Sequence, residues 1–191
     1  IDGVSVSELR YNRVRRQIGF VTQDPQLFSG TIRENLLFAQ PEASDEELLA
    51  ALRQASAGPL LERSGQGLDT RLGEGGVRVS GGERQRLSIA RALLRRPRLF
   101  IFDEATSALD SITEQEVTAS LREVSGSPQH IVILIAHRLS TVAHADPIYV
   151  LERGRVVETG SHDSLVQARG LYYAMWRQQI GEREASPPKP R

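Results

Sequence analysis

Residues 79–110 read VSGGERQRLSIARALLRRPRLFIFDEATSALD, and the order of side chains in this stretch decides the fold class. Ser80 stands before Gly81 and Gly82 at the head of a run in which Leu87, Ala90 and Leu94 share one helical face. A helix is therefore expected from about Gly82 to Arg95, stopped by Pro97. The first turn of a helix leaves backbone amides unpaired, and two glycines let an anion come close to them. A serine N-cap with a flexible glycine pair is the plainer meaning of so short a string. The apolar run Leu99-Phe100-Ile101-Phe102 then reads as a strand covered on both faces, ending in Asp103-Glu104. Two carboxylates at the carboxyl end of a parallel strand lie where open α/β sheets place their ligands. They suit a magnesium-bound phosphate with a general base beside it, and equally an acidic cap on the next helix.

Outward from this stretch, Ile131 to Ile135 is a second strand of the doubly covered type, and Ile18 to Thr22 is a weaker one. Ile148 to Leu151 and Arg155 to Glu158, joined through Glu152-Arg153-Gly154, read as a hairpin at the margin, with Pro147 ahead of it where a missing amide costs little. Ser44 with Glu47 forms a capping box before Leu48, Leu49, Ala51 and Leu52, and Gly58-Pro59 is expected to end that helix. Further helices are expected over about Ser111 to Val124, after Ser161 with Leu165 inward and Gly170 as terminator, and through Leu171, Tyr172, Met175 and Trp176. The tail from Gly181, ending Ser-Pro-Pro-Lys-Pro-Arg, is expected to be disordered. The class is α/β with an antiparallel margin.

Composition narrows the chemistry. The 191 residues carry 24 basic and 24 acidic side chains for a net charge of zero, which argues against a broad nucleic-acid surface. With no cysteine, disulfides, thiol catalysis and thiolate metal sites are excluded. The longest aliphatic run, Ile131 to Ala136, is far short of the roughly 20 residues that span a bilayer. The chain opens on Ile1 without a basic-then-apolar leader, so it reads as an internal piece of a longer protein. His130, His137, His144 and His162 are scattered without the spacing of a zinc site.

Taken in order, the 79–110 stretch resembles the signature, Walker B and D-loop segments of the ATP-binding cassette (ABC) family. RQIGFVTQDPQLFSGTIRENL at 16–36 resembles its Q-loop region, and IAHRLSTV at 135–142 its switch-histidine segment. The resemblance implies a P-loop NTPase-like ATPase core with a helical signature subdomain over about 24–97. One nucleotide-binding domain would cover 1–180, truncated at its N-terminus, with the tail at 181–191. It implies ATP and Mg2+ as cofactors. Gln23 would contact the magnesium and sense the γ-phosphate, Asp103 would support the magnesium, Glu104 would polarise the attacking water, and His137 would hold the γ-phosphate. Ser80, Gly81, Gly82 and Glu83 would belong to the site that binds ATP held by an opposite subunit. Ser107-Ala108-Leu109-Asp110 would link the two sites, with Asp110 at the nucleotide. The implied partners are a second nucleotide-binding domain, identical or different, and a transmembrane domain in the same polypeptide.

Two departures from the family pattern bear on this. Val79 and Glu83 replace the usual Leu and Gln. Glu83 adds a negative charge near a phosphate site, and is expected to point away or to pair with Arg84 or Arg86. No Gly-x-x-x-x-Gly-Lys-Ser/Thr occurs and Lys189 is the single lysine, so the phosphate loop, its strand and the adenine-stacking aromatic are expected to precede Ile1. The 191 residues alone are then expected to bind ATP poorly, not to hydrolyse it, and to expose apolar sheet surface. Phe28 to Asn35 and the loop Leu72-Gly73-Glu74-Gly75-Gly76 resemble the exporter form, with Glu74 facing the cytoplasmic loops of a membrane domain. An exporter half-transporter at the cytoplasmic face of a bacterial inner membrane is the leading expectation. A soluble cassette ATPase acting on nucleic acid or ribosomes fits less well with zero net charge and no aromatic-basic clusters. A non-hydrolysing regulatory cassette fits least, since Glu104 and His137 are both present.

Overall fold

The strand that ends in Asp103 is the middle of a parallel sheet. A computed structural model of the chain describes residues 3–5, 7, 10–63, 65–73, 75–106, 114–119, 122 and 130–184. They fall into two compact units, Ile1–Ile135 and Ala136–Arg191. The first holds α1 (Tyr11–Arg16), β1 (Ile18–Val21), β2 (Gly30–Thr31), α2 (Ile32–Leu37), α3 (Asp45–Gln54), α4 (Gly58–Glu62), β3 (Arg71–Leu72), α5 (Gly81–Leu94), β4 (Leu99–Asp103) and β5 (Ile131–Ile135). The second holds α6 (Leu139–Val142), β6 (Ile148–Glu152), β7 (Arg155–Gly160), α7 (His162–Ala168) and α8 (Leu171–Glu184).

The sheet order is β1-β4-β5, all parallel, with Val21 opposite Phe102 and Phe102 opposite Leu134. Val21, Phe100 and Phe102 join a core with Leu48, Leu52, Leu87, Ile89 and Ala90, against which Val132 and Leu134 pack. Helix α5 lies on β1 and against α2 and α3. The opposite face differs from the expectation of double cover. Phe20, Ile131, Ile133 and Ile135 are 45–68% exposed, so β5 alternates between a covered and an open face among the described residues. An apolar side chain on each face records a demand for cover, and the described residues cover only one.

Local signals account for most boundaries and for the corrections. Ser44 and Glu47 form the expected reciprocal capping box on α3, and Thr31 with Glu34 forms the same box on α2. Helix α3 stops at Gln54, not at Gly58; Ser56 takes a left-handed φ of 54°, and Gly58-Pro59 instead open α4, where proline's missing amide is harmless. Helix α7 ends on Arg169 in the left-handed conformation rather than on Gly170. The Glu158 carboxylate then accepts from the amides of Leu171 (2.5 Å) and Tyr172 (3.1 Å), capping α8. That helix runs through Gly181 to Glu184, past the point where the tail was expected to begin, and 185–191 lie outside the described residues. Of the helix expected over Ser111 to Val124, residues 114–119 and 122 are helical and the others lie outside the described residues. The hairpin forms as expected from β6 and β7.

Leu87→Ala is expected to cost about 2–5 kcal/mol of unfolding free energy, whereas Ile133→Thr on the open face is expected to change it by under about 1 kcal/mol and to reduce self-association. Urea unfolding and light scattering of the purified chain check the pair. A second expectation concerns acid. The Arg33 guanidinium donates to Asp45 and holds its carboxyl below the ordinary 3.8. The folded chain therefore binds fewer protons at Asp45 than the unfolded chain, so this stabilisation is complete above that value and fades as pH falls through the lower folded one. Asp45→Asn is expected to shallow the acid limb of stability below the ordinary carboxyl value of 3.8, measured by chemical unfolding at a series of falling pH values.

Candidate functional site

Asp103 closes β4 opposite Ile135, and Glu104 follows with a φ of 50° while its amide donates to the Ile135 carbonyl at 2.8 Å. A left-handed residue with a side chain is disfavoured by roughly 1–2 kcal/mol, so the conformation persists because the surrounding structure holds it. Asp103 and Glu104 are half-buried, with Ala105 and Thr106 buried after them. Gln23 is exposed, two residues beyond β1. Because Val21 pairs with Phe102, it leaves the sheet at the same edge as Asp103. The side chain of Gln85, 2% exposed on α5, donates to the Thr22 carbonyl at 3.2 Å and ties that edge to the helix.

At the head of α5, Ser80 is the N-cap. Its hydroxyl oxygen accepts from the Glu83 amide (3.2 Å), and its own amide donates to the Glu83 carboxylate (2.7 Å). The other carboxylate oxygen of Glu83 accepts from Arg63 at 2.7 Å, and Arg63 also donates to the Arg78 carbonyl at 2.5 Å. The pairing expected with Arg84 or Arg86 is therefore corrected: Arg84 donates to the Val79 carbonyl, and Arg86 pairs with Glu116. Glu83, expected at the nucleotide, engages both carboxylate oxygens within the protein. The amides of Gly81, which is exposed, and Gly82, which is buried, precede the first intrahelical bond and have no acceptor among the described residues. Two free amides, an adjoining hydroxyl and the positive end of a 14-residue helix suit a phosphate oxygen.

No group of three or more potential ligands for a metal occurs among the described residues. Magnesium is commonly held by one or two carboxylates together with water and substrate phosphates, so the single Asp103 fits that ion. His137 lies in the second unit: it is exposed, and Gln179 of α8 donates to its carbonyl at 2.5 Å and accepts from the Leu139 amide at 2.9 Å. His130 bonds the Pro97 carbonyl and stands edge-on to Phe100, and His162 bonds the Tyr172 hydroxyl, both structural roles. Glu74 and Ser107 through Asp110 lie outside the described residues. Around Glu74, a Cβ on Gly76 would collide with the Arg71 carbonyl, so this loop needs glycine there. Beyond Gln23, the half-exposed rings of Phe28 and Phe38 lie 4.5 Å apart beneath the Arg91 guanidinium.

Sequence reasoning missed Gln85, Gln179 and Arg63. The Ser80-x-x-Glu83 spacing did carry a capping signal, but nothing local marks Arg63 as its partner, 20 residues away.

The ABC transporter family model matches residues 1–107 of the 191. The ABC transporter ATM1 of Toxoplasma gondii is 47% identical over 180 residues, which is 94% of this chain and 16% of that protein. The beta-(1→2)glucan export ATP-binding/permease protein NdvA of Rhodopseudomonas palustris is 47% identical over 186 residues, 97% of this chain and 30% of that protein. A solved bacterial Atm1-family ABC exporter with ATP bound superposes with a TM-score of 0.85 at 43% identity, over 94% of this chain and 31% of that one. The chain thus spans between 16 and 31% of the length of these relatives. With its mixed α/β fold and its family model matched over more than half its length, the chain belongs to the ABC transporter family.

Proposed function

We propose that these residues are the C-terminal part of a nucleotide-binding domain that binds ATP with magnesium and hydrolyses it to drive export across a membrane. The domain is taken as 1–180 with its helical subdomain at about 24–97. It works at the cytoplasmic face with a second such domain, and a transmembrane domain is fused in the same polypeptide. One observation carries the reading: at the head of α5 the amides of exposed Gly81 and buried Gly82 have no acceptor among the described residues, while the helix's own capping acid is tied back. The export and permease functions in the relatives' names, and their greater length, support the transport assignment. An exposed aromatic pair at Phe28 and Phe38 supports a protein interface beside the Q-loop region.

Bound ATP with magnesium supplies the electrophilic phosphoryl group and neutralises its charge. Asp103 would hold the ion, and Gln23 at the same sheet edge would contact it. Glu104 accepts a proton from the attacking water at its carboxylate, and the bond from its amide to the Ile135 carbonyl keeps that carboxylate at the strand end. His137 donates to the terminal phosphate, steadied by Gln179 through the His137 carbonyl and the Leu139 amide. The Ser80 hydroxyl and the Gly81 and Gly82 amides donate to the phosphate of a nucleotide seated on the second domain. Asp110 joins the two sites.

In the full-length transporter, Glu104→Gln is expected to keep ATP binding and lower turnover by at least about 100-fold, read by phosphate release and by nucleotide retention on filters. The 191 residues contain no lysine-bearing glycine loop, so the isolated chain is expected to show no turnover. Hydrolysis by the isolated chain that survives Glu104→Gln sinks both the assignment of the base and the need for that loop.

A further inference from the structure

An acid in the first turn of a helix stabilises that helix for the same reason that it opposes an anion there: both compete for the positive end of the dipole. Glu83 therefore poses a problem for a phosphate site built on Gly81 and Gly82. Its side chain is only 12% exposed, so water screens it poorly. Arg63 answers the problem with one group. Its guanidinium neutralises the Glu83 carboxylate at 2.7 Å and, through the Arg78 carbonyl at 2.5 Å, holds the chain that leads into Ser80. Arg84 and Arg86, nearer in sequence, bond the Val79 carbonyl and Glu116 instead.

We propose that Arg63 is a positioning residue for nucleotide binding: it keeps Glu83 neutralised and turned into the cap, so that the Gly81 and Gly82 amides stay open to a phosphate. This rests on the reading of Ser80 to Gly82 as a nucleotide cradle. Glutamine at position 83 can accept from the Ser80 amide through its side-chain carbonyl and so keeps the capping box while removing the charge. The paired substitution therefore separates charge from packing.

The test is ATP turnover of the full-length transporter with KM and kcat resolved, alongside thermal unfolding. Arg63→Gln keeps a hydrogen-bond donor and removes the charge, and is expected to raise KM for ATP roughly three- to tenfold with kcat within about twofold. Arg63→Gln combined with Glu83→Gln is expected to return KM to within about twofold of the unaltered protein, and Arg63→Lys to hold it there. A lowered melting temperature with unchanged KM, or a raised KM that Glu83→Gln does not relieve, makes Arg63 a merely structural residue and overturns the proposal. Ser80→Ala and Gly82→Glu are measured beside these. If they leave KM and turnover intact, the cradle reading itself fails, and the proposal with it.

Discussion

The packing of α5 against the covered face of the sheet is the contact on which the site depends. Leu87, Ile89 and Ala90 are fully buried in the core shared with Phe100 and Phe102, and Gln85 hooks the carbonyl of Thr22 at the end of β1. Burying side chains of this size contributes about 1.5–3 kcal/mol each for the larger two, and a close-packed interface admits few alternative registers. The helix therefore cannot slide without opening the core. Its N-terminus, with the Ser80 cap, and the sheet edge, with Asp103 and Glu104, are positioned by one shared contact.

The two carboxylates also show how a backbone device gives neighbours different surroundings. In a regular strand, successive side chains point to opposite faces, so an Asp-Glu pair would be split by the sheet. The strand ends at Asp103, and the left-handed turn at Glu104 breaks the alternation there. The amide bond to Ile135 fixes that turn across β5. Two adjacent acids can then take different roles at one edge, as the proposed division into an ion-holding and a proton-accepting carboxylate requires.

What was legible in the sequence was what is local. Three parallel strands, the hairpin, and helices α3 and α5 follow from runs, periodicity and caps. Helix α2 carried the same Thr31-x-x-Glu34 spacing that betrays α3, so its signal was present and unused. The two-residue ladder of β2 and β3 is too short for any alternation to show. The cap of α8 comes from Glu158, 13 residues before Leu171, and the partner of Glu83 from Arg63; both are choices made by tertiary packing. The open face of β5 shows the same divide from the other side. Its isoleucines on one face and Val132 and Leu134 on the other announce apolar surroundings on both, and no pattern within a strand names the segment that supplies them.

Among the described residues three helices share the reciprocal capping box, and comparing them shows why, of the three, α5 suits a phosphate. Each box closes two donors, the amides of the cap and of the third helical residue, and leaves the first two helical amides open. In α2 the first of these, on Ile32, is already bonded to the Thr70 carbonyl at 3.0 Å. In α3 the first two helical residues are Asp45 and Glu46, whose charges repel an anion. In α5 they are Gly81, which is exposed, and Gly82, which is buried, both uncharged and without side chains of their own over the amides. The same local grammar thus yields two structural helix starts and one binding surface, and the difference lies in two residues that the cap itself does not use. An acid at the third position is harmless in the first two cases. In the third it is tolerable only when a cation answers it, which is the place Arg63 fills.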